Sequence, residues 1–177
     1  MDHEKVNKMS YQHHTSNSNF SKLINMTDIN YWLMKSEPDA YSIDTLKNDG
    51  VTLWDGIRNY QARNFMRRMN KGDMVFFYHS NCKPPGIVGL MEVIDLNIVD
   101  PTQFDQDSKY FDPKSKPDNP KWDCVKVEYK SKSDKILSLP ELKILFNEDE
   151  LLVVKKGNRL SILPVRNDIA NILLEKI

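Results

Sequence analysis

Four of the chain's six arginines, Arg58, Arg63, Arg67 and Arg68, fall within WDGIRNYQARNFMRRM (54–69), a stretch with no lysine in a chain that carries nineteen. Trp54 and Tyr60 stand among them. A guanidinium grips phosphate through two parallel N–H donors and stacks flat on aromatic rings, which an ammonium does not do. Residues 54–71 carry five cations and one acid, Asp55, although acidic and basic residues balance at 25 each over the whole chain. Two readings fit. One is a solvated helix face whose aromatics belong to the core, with Arg58 paired to Asp55 or Glu37. The other is a cationic rim beside aromatic walls.

The second reading has a chemical counterpart. Holding a single nucleobase takes an aromatic face for stacking, a few fixed polar groups for the base edge, and cations for the flanking phosphates. Trp32, Trp54, Tyr60 and Phe77 are candidate faces. Ser36, Asn59, His79, Ser80 and Asn81 are candidate edge contacts, and Lys35, Arg58, Arg63 and Arg67 candidate backbone contacts. Arg159, isolated beside Ser161, is a further phosphate contact or a structural ion pair.

Catalytic chemistry has weaker support. In FYHSN (77–81) His79 has the pKa range of an acid–base group, and Glu37, Asp55 or Cys82 are its only candidate partners. No nucleophilic set is legible. There is no P-loop, no G-x-G-x-x-G and no H-E-x-x-H. Cys82 and Cys124 have no metal or redox spacing. The chain is expected to be non-enzymatic, without cofactor or metal.

These residues need elements to position them. The 177-residue length suits one domain with a tail. Residues 1–28, rich in Asn, Ser and His, read as a disordered polar leader, which leaves 29–177 as the folded domain. His13 and His14 lie in the leader, and translation could start at Met1, Met9 or Met26. YWLMK (31–35) reads as a buried strand. Ser42 caps a short helix, IDTLKND, stopped by Gly50. VTLW is extended into the Asp55–Gly56 turn. Asn59 caps a helix whose stripe is Ala62, Phe65, Met66 and Met69, with Arg63 and Arg67 together on the opposite side and Arg58 ahead of it. MVFFYHS (74–80) is a strand with two apolar faces. IVGLMEVID (87–95) is another, with Gly89 at a bulge or close approach. Residues 96–121 are a proline-rich loop carrying Lys114, Lys116 and Lys121. WDCVKVEY (122–129) is a strand, LPELKILF (139–146) a helix, RLSILPV a strand, and NDIANILLEKI (167–177) a closing helix capped by Asn167. Strands at irregular spacing broken by short helices argue for an α+β fold built on a small mixed barrel rather than a doubly wound sheet.

YWLMKSEPDAYSIDTL, LWDGIRNYQARNFMRRMNKGDMVFFYHSN, PGIVG, DPTQFDQDSKYFDPKS and NRLSILPV, in this order, resemble the EVE domain, the PUA-like domain of the thymocyte nuclear protein family and of many bacterial proteins. The resemblance runs from about Tyr31 to the C-terminus, with Ile57 and Ile162 where valine is common. It implies a PUA-like β-barrel with flanking short helices, similar in fold to YTH and ASCH domains. It implies a reader of modified bases, modified cytosine in DNA first and modified RNA second. By position, Trp32 and Trp54 would wall the pocket and Ser36, Asn59, His79 and Asn81 line it. Arg58, Arg63 and Lys114 would face the sugar-phosphate chain.

Zero formal net charge argues against coating long nucleic acid by bulk electrostatics, so any such binding is local. The expected partner is nucleic acid carrying a modified base, DNA or RNA. An RNA-binding module for structured RNA and an enzyme acting on a nucleotide or damaged base are the rival readings. No apolar run approaches the ~20 residues of a membrane span. Oligomeric state is open, with a monomer the simpler expectation. Abundant lysine and asparagine lean toward an AT-rich bacterial source and the cytoplasm, a eukaryotic source toward the nucleus.

Overall fold

The computed structural model describes residues 29–177, so the leader, His13, His14 and the alternative starts lie outside the described residues. The described chain is mixed α+β, with six strands and four α-helices. The strands are β1 (Tyr31–Ser36), β2 (Val51–Trp54), β3 (Met74–His79), β4 (Gly86–Val99), β5 (Asp123–Ser138) and β6 (Ile162–Val165). The helices are α1 (Ile43–Asp49), α2 (Tyr60–Met66), α3 (Leu139–Leu145) and α4 (Asn167–Leu174).

All six strands form one sheet in the order β2-β5-β4-β3-β1-β6. The β1–β3 pair is parallel and the other pairs are antiparallel. The expected closure into a barrel is not seen. The edge strands β2 and β6 have four residues each and do not pair with each other among the described residues.

Period-two alternation sends side chains to two cores. Trp32, Met34, Val75 and Phe77 pack on one face with Trp54, Ile57, Ala62 and Met66 of α2, and Met69 just beyond that helix. Leu33, Phe76 and Tyr78 pack on the other, under Leu142 of α3 and Ile169 and Leu173 of α4. A strand covered on both sides is apolar on both faces, which is why MVFFYH reads as a continuous apolar run.

The long β4–β5 pair bends the sheet through several register shifts, as bulges do. The register against β3 slips beside Gly89 as expected, where a Cβ would stand 2.3 Å from the Ser131 carbonyl oxygen. β5 runs on through the polar KSKSDKIL, beyond its expected end at Tyr129, because β4 continues to supply a backbone partner. The β6 strand is shorter than RLSILPV, and the residue capping α4 is Arg166 rather than Asn167.

Two caps matter for the site. Ser42 Oγ accepts the Thr45 N–H at 3.0 Å at the start of α1. Asn59 Oδ1 accepts the Gln61 and Ala62 N–H groups at 2.9 and 3.0 Å at the start of α2. Each satisfies backbone donors that a helix start leaves free.

Candidate nucleic-acid interface

The sheet's failure to close creates the site. A cavity of about 720 Å³ opens between its two edges, lined by β2 and the 55–58 turn on one side and by the end of β1 and the segment entering β6 on the other. This is the size of a small-molecule site. Trp54 forms a largely buried wall, 7% exposed, edge-on to Phe77 at 5.2 Å between ring centroids.

The 55–58 turn is braced from the 100–112 loop. The fully buried Asp100 accepts the Gly56 N–H at 2.9 Å through Oδ2 and the Thr102 N–H at 2.8 Å through Oδ1. Its Oδ2 also accepts from Arg58 Nη1 at 2.7 Å. Arg58 spends further donors on the Ile57 carbonyl at 2.9 Å, the Tyr110 carbonyl at 2.6 Å and Thr102 Oγ1 at 2.9 Å. A guanidinium has five N–H groups, so four are engaged and one is left without a hydrogen-bond partner among the described residues. Tyr110 lies against Gly56, where a Cβ would meet its ring at 2.6 Å and the backbone φ is +74°. Arg58 pairs with neither Asp55 nor Glu37.

Four cations and two carboxylates line the cavity: Lys35, Arg58, Lys109 and Arg159 against Glu37 and Asp55. Burial pushes the Asp55 carboxyl up, assisted by the Asp100 charge and opposed by Arg58. Burial pulls the Lys35 ammonium down. Arg159 has no ion pair among the described residues, so the structural pairing envisaged for it is not made.

The cavity brings together Ser36, Trp54, Ser80, Lys35, Arg58 and Arg159 from the sequence-based set. It does not bring together the rest. Trp32 is 3% exposed in the core, its indole N–H donating to Asp73 Oδ2 at 2.8 Å. Phe77 is fully buried behind Trp54. Asn59 is committed to capping. His79 is buried, and its Nε2 accepts the Ile43 N–H at 3.2 Å. Burial holds its imidazole below the usual range. Asn81 lines a second, smaller cavity. Strand alternation explains Trp32 and Phe77, which point to the core face.

Tyr60, Arg63 and Arg67 do not line the cavity and gather beside Trp122, whose ring centroid also lies 5.4 Å from the Arg58 guanidinium. Tyr60 stacks on Trp122 at 4.8 Å, and the Arg63 guanidinium lies 4.8 Å from the Tyr60 ring centroid. Arg63 Nη1 donates to the Lys121 carbonyl at 2.7 Å, and Arg67 pairs with Asp123. Lys114 is exposed and lines neither cavity.

Tyr110, Lys109, Asn158 and Ser161 line the main cavity without having been singled out for it. Glu37 and Asp55, expected as catalytic partners of His79 or ion-pair partners of Arg58, line it instead. Tyr110 is brought there by its contact with the distant Gly56, which no local sequence pattern carries.

The EVE domain family model matches residues 30–176. The chain belongs to the EVE domain family. A solved protein structure from Pseudomonas syringae is 43% identical, covers 83% of this chain and 99% of its own, and superposes with a TM-score of 0.79. The human THYN1 protein, solved in complex with 5-methylcytosine-containing DNA, is 40% identical over 83% of this chain and 96% of that one, with a TM-score of 0.77. Human thymocyte nuclear protein 1 is 48% identical over 124 residues, 64% of this EVE chain and 55% of the relative. The chain thus spans about half the length of the curated relatives it matches.

Proposed function

We propose that this EVE domain binds DNA and takes a modified cytosine, flipped from the stack, into the cavity between β2 and β6 without chemical change to it. The observation that carries the reading is the cavity itself: one tryptophan wall, two carboxylates and a cationic rim in the gap of an open sheet. The DNA complex of the human relative supports it. A base stacked on Trp54 gains about 1–3 kcal/mol from the aromatic contact. Neither Asp55 nor Glu37 accepts a side-chain hydrogen bond within the cavity among the described residues, and a carboxylate is the natural acceptor for the cytosine exocyclic amine. Lys35, Lys109 and Arg159 steady the flanking phosphates. His79, on which a catalytic reading would rest, has its Nε2 engaged and does not line the cavity. Two relatives' names include the word nuclear. By analogy the chain works in the nucleus if its source is eukaryotic and in the cytoplasm if bacterial.

The test is binding of oligonucleotides bearing cytosine, 5-methylcytosine and other cytosine and adenine modifications, as DNA and as RNA. Modified DNA is expected to bind more tightly, and Trp54→Ala to abolish the difference. Equal affinity across all of them sinks the reading. Tighter binding of RNA would transfer it to an RNA module.

A further inference from the structure

A second cavity of about 330 Å³ adjoins the first and shares Lys35, Ser80 and Asn158 with it. Its walls carry four lysines, Lys35, Lys143 of α3, Lys155 and Lys156, and no carboxylate. None of the four forms an ion pair among the described residues. Elsewhere lysines are neutralised at close range: Lys71 by Asp95 at 2.7 Å, Lys130 by Glu92 at 2.6 Å, Lys132 by Asp44 at 2.7 Å. Like charges gathered in a concavity repel one another, and an anion placed among them relieves that repulsion.

The segment KKGNR (155–159) spans both cavities. Gly157 turns the chain at φ +78°, a conformation glycine adopts without a steric penalty. Lys155 and Lys156 before it line the second cavity, Arg159 after it lines the first, and Asn158 belongs to both. Lys35 sits on the shared wall, its Nζ 3.5 Å from the Asn158 carbonyl oxygen. An ammonium has three N–H donors, so others remain for an anion. Tyr78, Pro85, Leu139 and Val153 give the second cavity an apolar floor on which a deoxyribose can lie.

We propose that the second cavity is a phosphodiester site, which seats the sugar-phosphate of a nucleotide adjacent to the base held in the first. It rests on the base-binding reading above, because the shared wall of Lys35, Ser80 and Asn158 sets the two cavities side by side, so that a strand whose base fills the first can run on into the second. An acidic peptide would feel the same charge, but it has no base to fill the first cavity. The site reads charge and not sequence, so it raises affinity for modified and unmodified strands alike.

The experiment compares the full chain with its Lys143→Ala/Lys155→Ala/Lys156→Ala variant. All three lysines are exposed or at the rim, so the fold is expected to persist, which circular dichroism checks. Affinities for a 5-methylcytosine oligonucleotide and its unmodified counterpart are measured across a salt series. The expected result is an equal loss for both at low salt, on the order of tenfold or more, with a log–log salt slope shallower by roughly 2 to 3. The preference for the modified strand is unchanged. Trp54→Ala is expected to do the reverse, losing the preference and keeping the slope. Unchanged affinity and slope in the triple variant overturn the phosphodiester site while leaving base reading intact. A wild-type chain without modification preference whose slope still depends on the lysines overturns base reading alone. Failure to bind any oligonucleotide overturns both, and tighter binding of a poly-glutamate peptide than of the oligonucleotide assigns the lysines to an acidic peptide instead.

Discussion

The Arg58 guanidinium and the fully buried Asp100 carboxylate meet at 2.7 Å although 42 residues separate them in sequence. This pair ties the 55–58 turn, one wall of the main cavity, to the loop that supplies Tyr110. An ion pair out of water is costly to break from one side, because the remaining charge keeps its desolvation penalty without its partner. Asp100→Ala also strips the Gly56 and Thr102 N–H groups of their acceptor. The expected loss of stability is about 3 kcal/mol, read from urea denaturation, together with weaker DNA binding. A variant as stable as the parent would show that the brace is dispensable.

Asp55 is the cavity carboxylate best sheltered from water, so its exchange tests edge reading. Asp55→Asn keeps the shape and presents an amide in place of a pure acceptor. The discrimination of cytosine from thymine in otherwise identical oligonucleotides is expected to fall on the order of tenfold, the value of one good edge contact. An unchanged ratio would pass the role to Glu37.

Gly56 permits the wall to form. Its positive φ and the close Tyr110 ring leave no room for a methyl group. Gly56→Ala is expected to cost about 1–3 kcal/mol and to displace Tyr110, visible as a shift of the tyrosine ring resonances by NMR. Gly50→Ala, also at positive φ but with nothing within 4 Å of the added Cβ, separates backbone strain from the clash: the ring shift is expected only for Gly56→Ala.

His79 makes stability depend on pH. Its folded pKa is depressed by burial, with Asp44 opposing and Lys132 assisting, and its Nε2 must be unprotonated to accept the Ile43 N–H. The native state therefore binds this proton less readily than the unfolded chain. The stabilisation is fully present above the ordinary histidine value of about 6.5 and is lost as pH falls through the lower folded value. Denaturation midpoints between about pH 8 and pH 5 are expected to fall more steeply for the parent than for His79→Gln, whose amide oxygen can accept the same bond. Parallel curves would remove His79 as the cause.

Local patterns were legible in the sequence. Ser42 and Asn59 cap the helices expected of them, since capping is decided within three residues. Of the stripe Ala62, Phe65, Met66 and Met69, three residues are buried as the spacing indicated and Phe65 is partly buried against the same core. MVFFYH and YWLM alternate between two cores. The EVE resemblance rested on long ordered matches, and the family match covers nearly the same residues. Alternation alone does not tell which face is cavity and which is core. Trp32 and Phe77, candidate walls by residue type, are both interior.

What the tertiary structure decided is the site's membership and its edges. Whether a sheet closes depends on the pairing of β2 with β6, strands with 107 residues between Trp54 and Ile162, and no local signal carries that. The Arg58–Asp100 pair, the Tyr110 wall and the sharing of Lys35 and Asn158 by two cavities are likewise products of distant segments brought together by burial. Residue types in WDGIRNYQARNFMRRM told that something aromatic and cationic was being built. Only the packing divided that stretch, placing Trp54 and Arg58 in the cavity lining and leaving Tyr60, Arg63 and Arg67 outside it, beside Trp122.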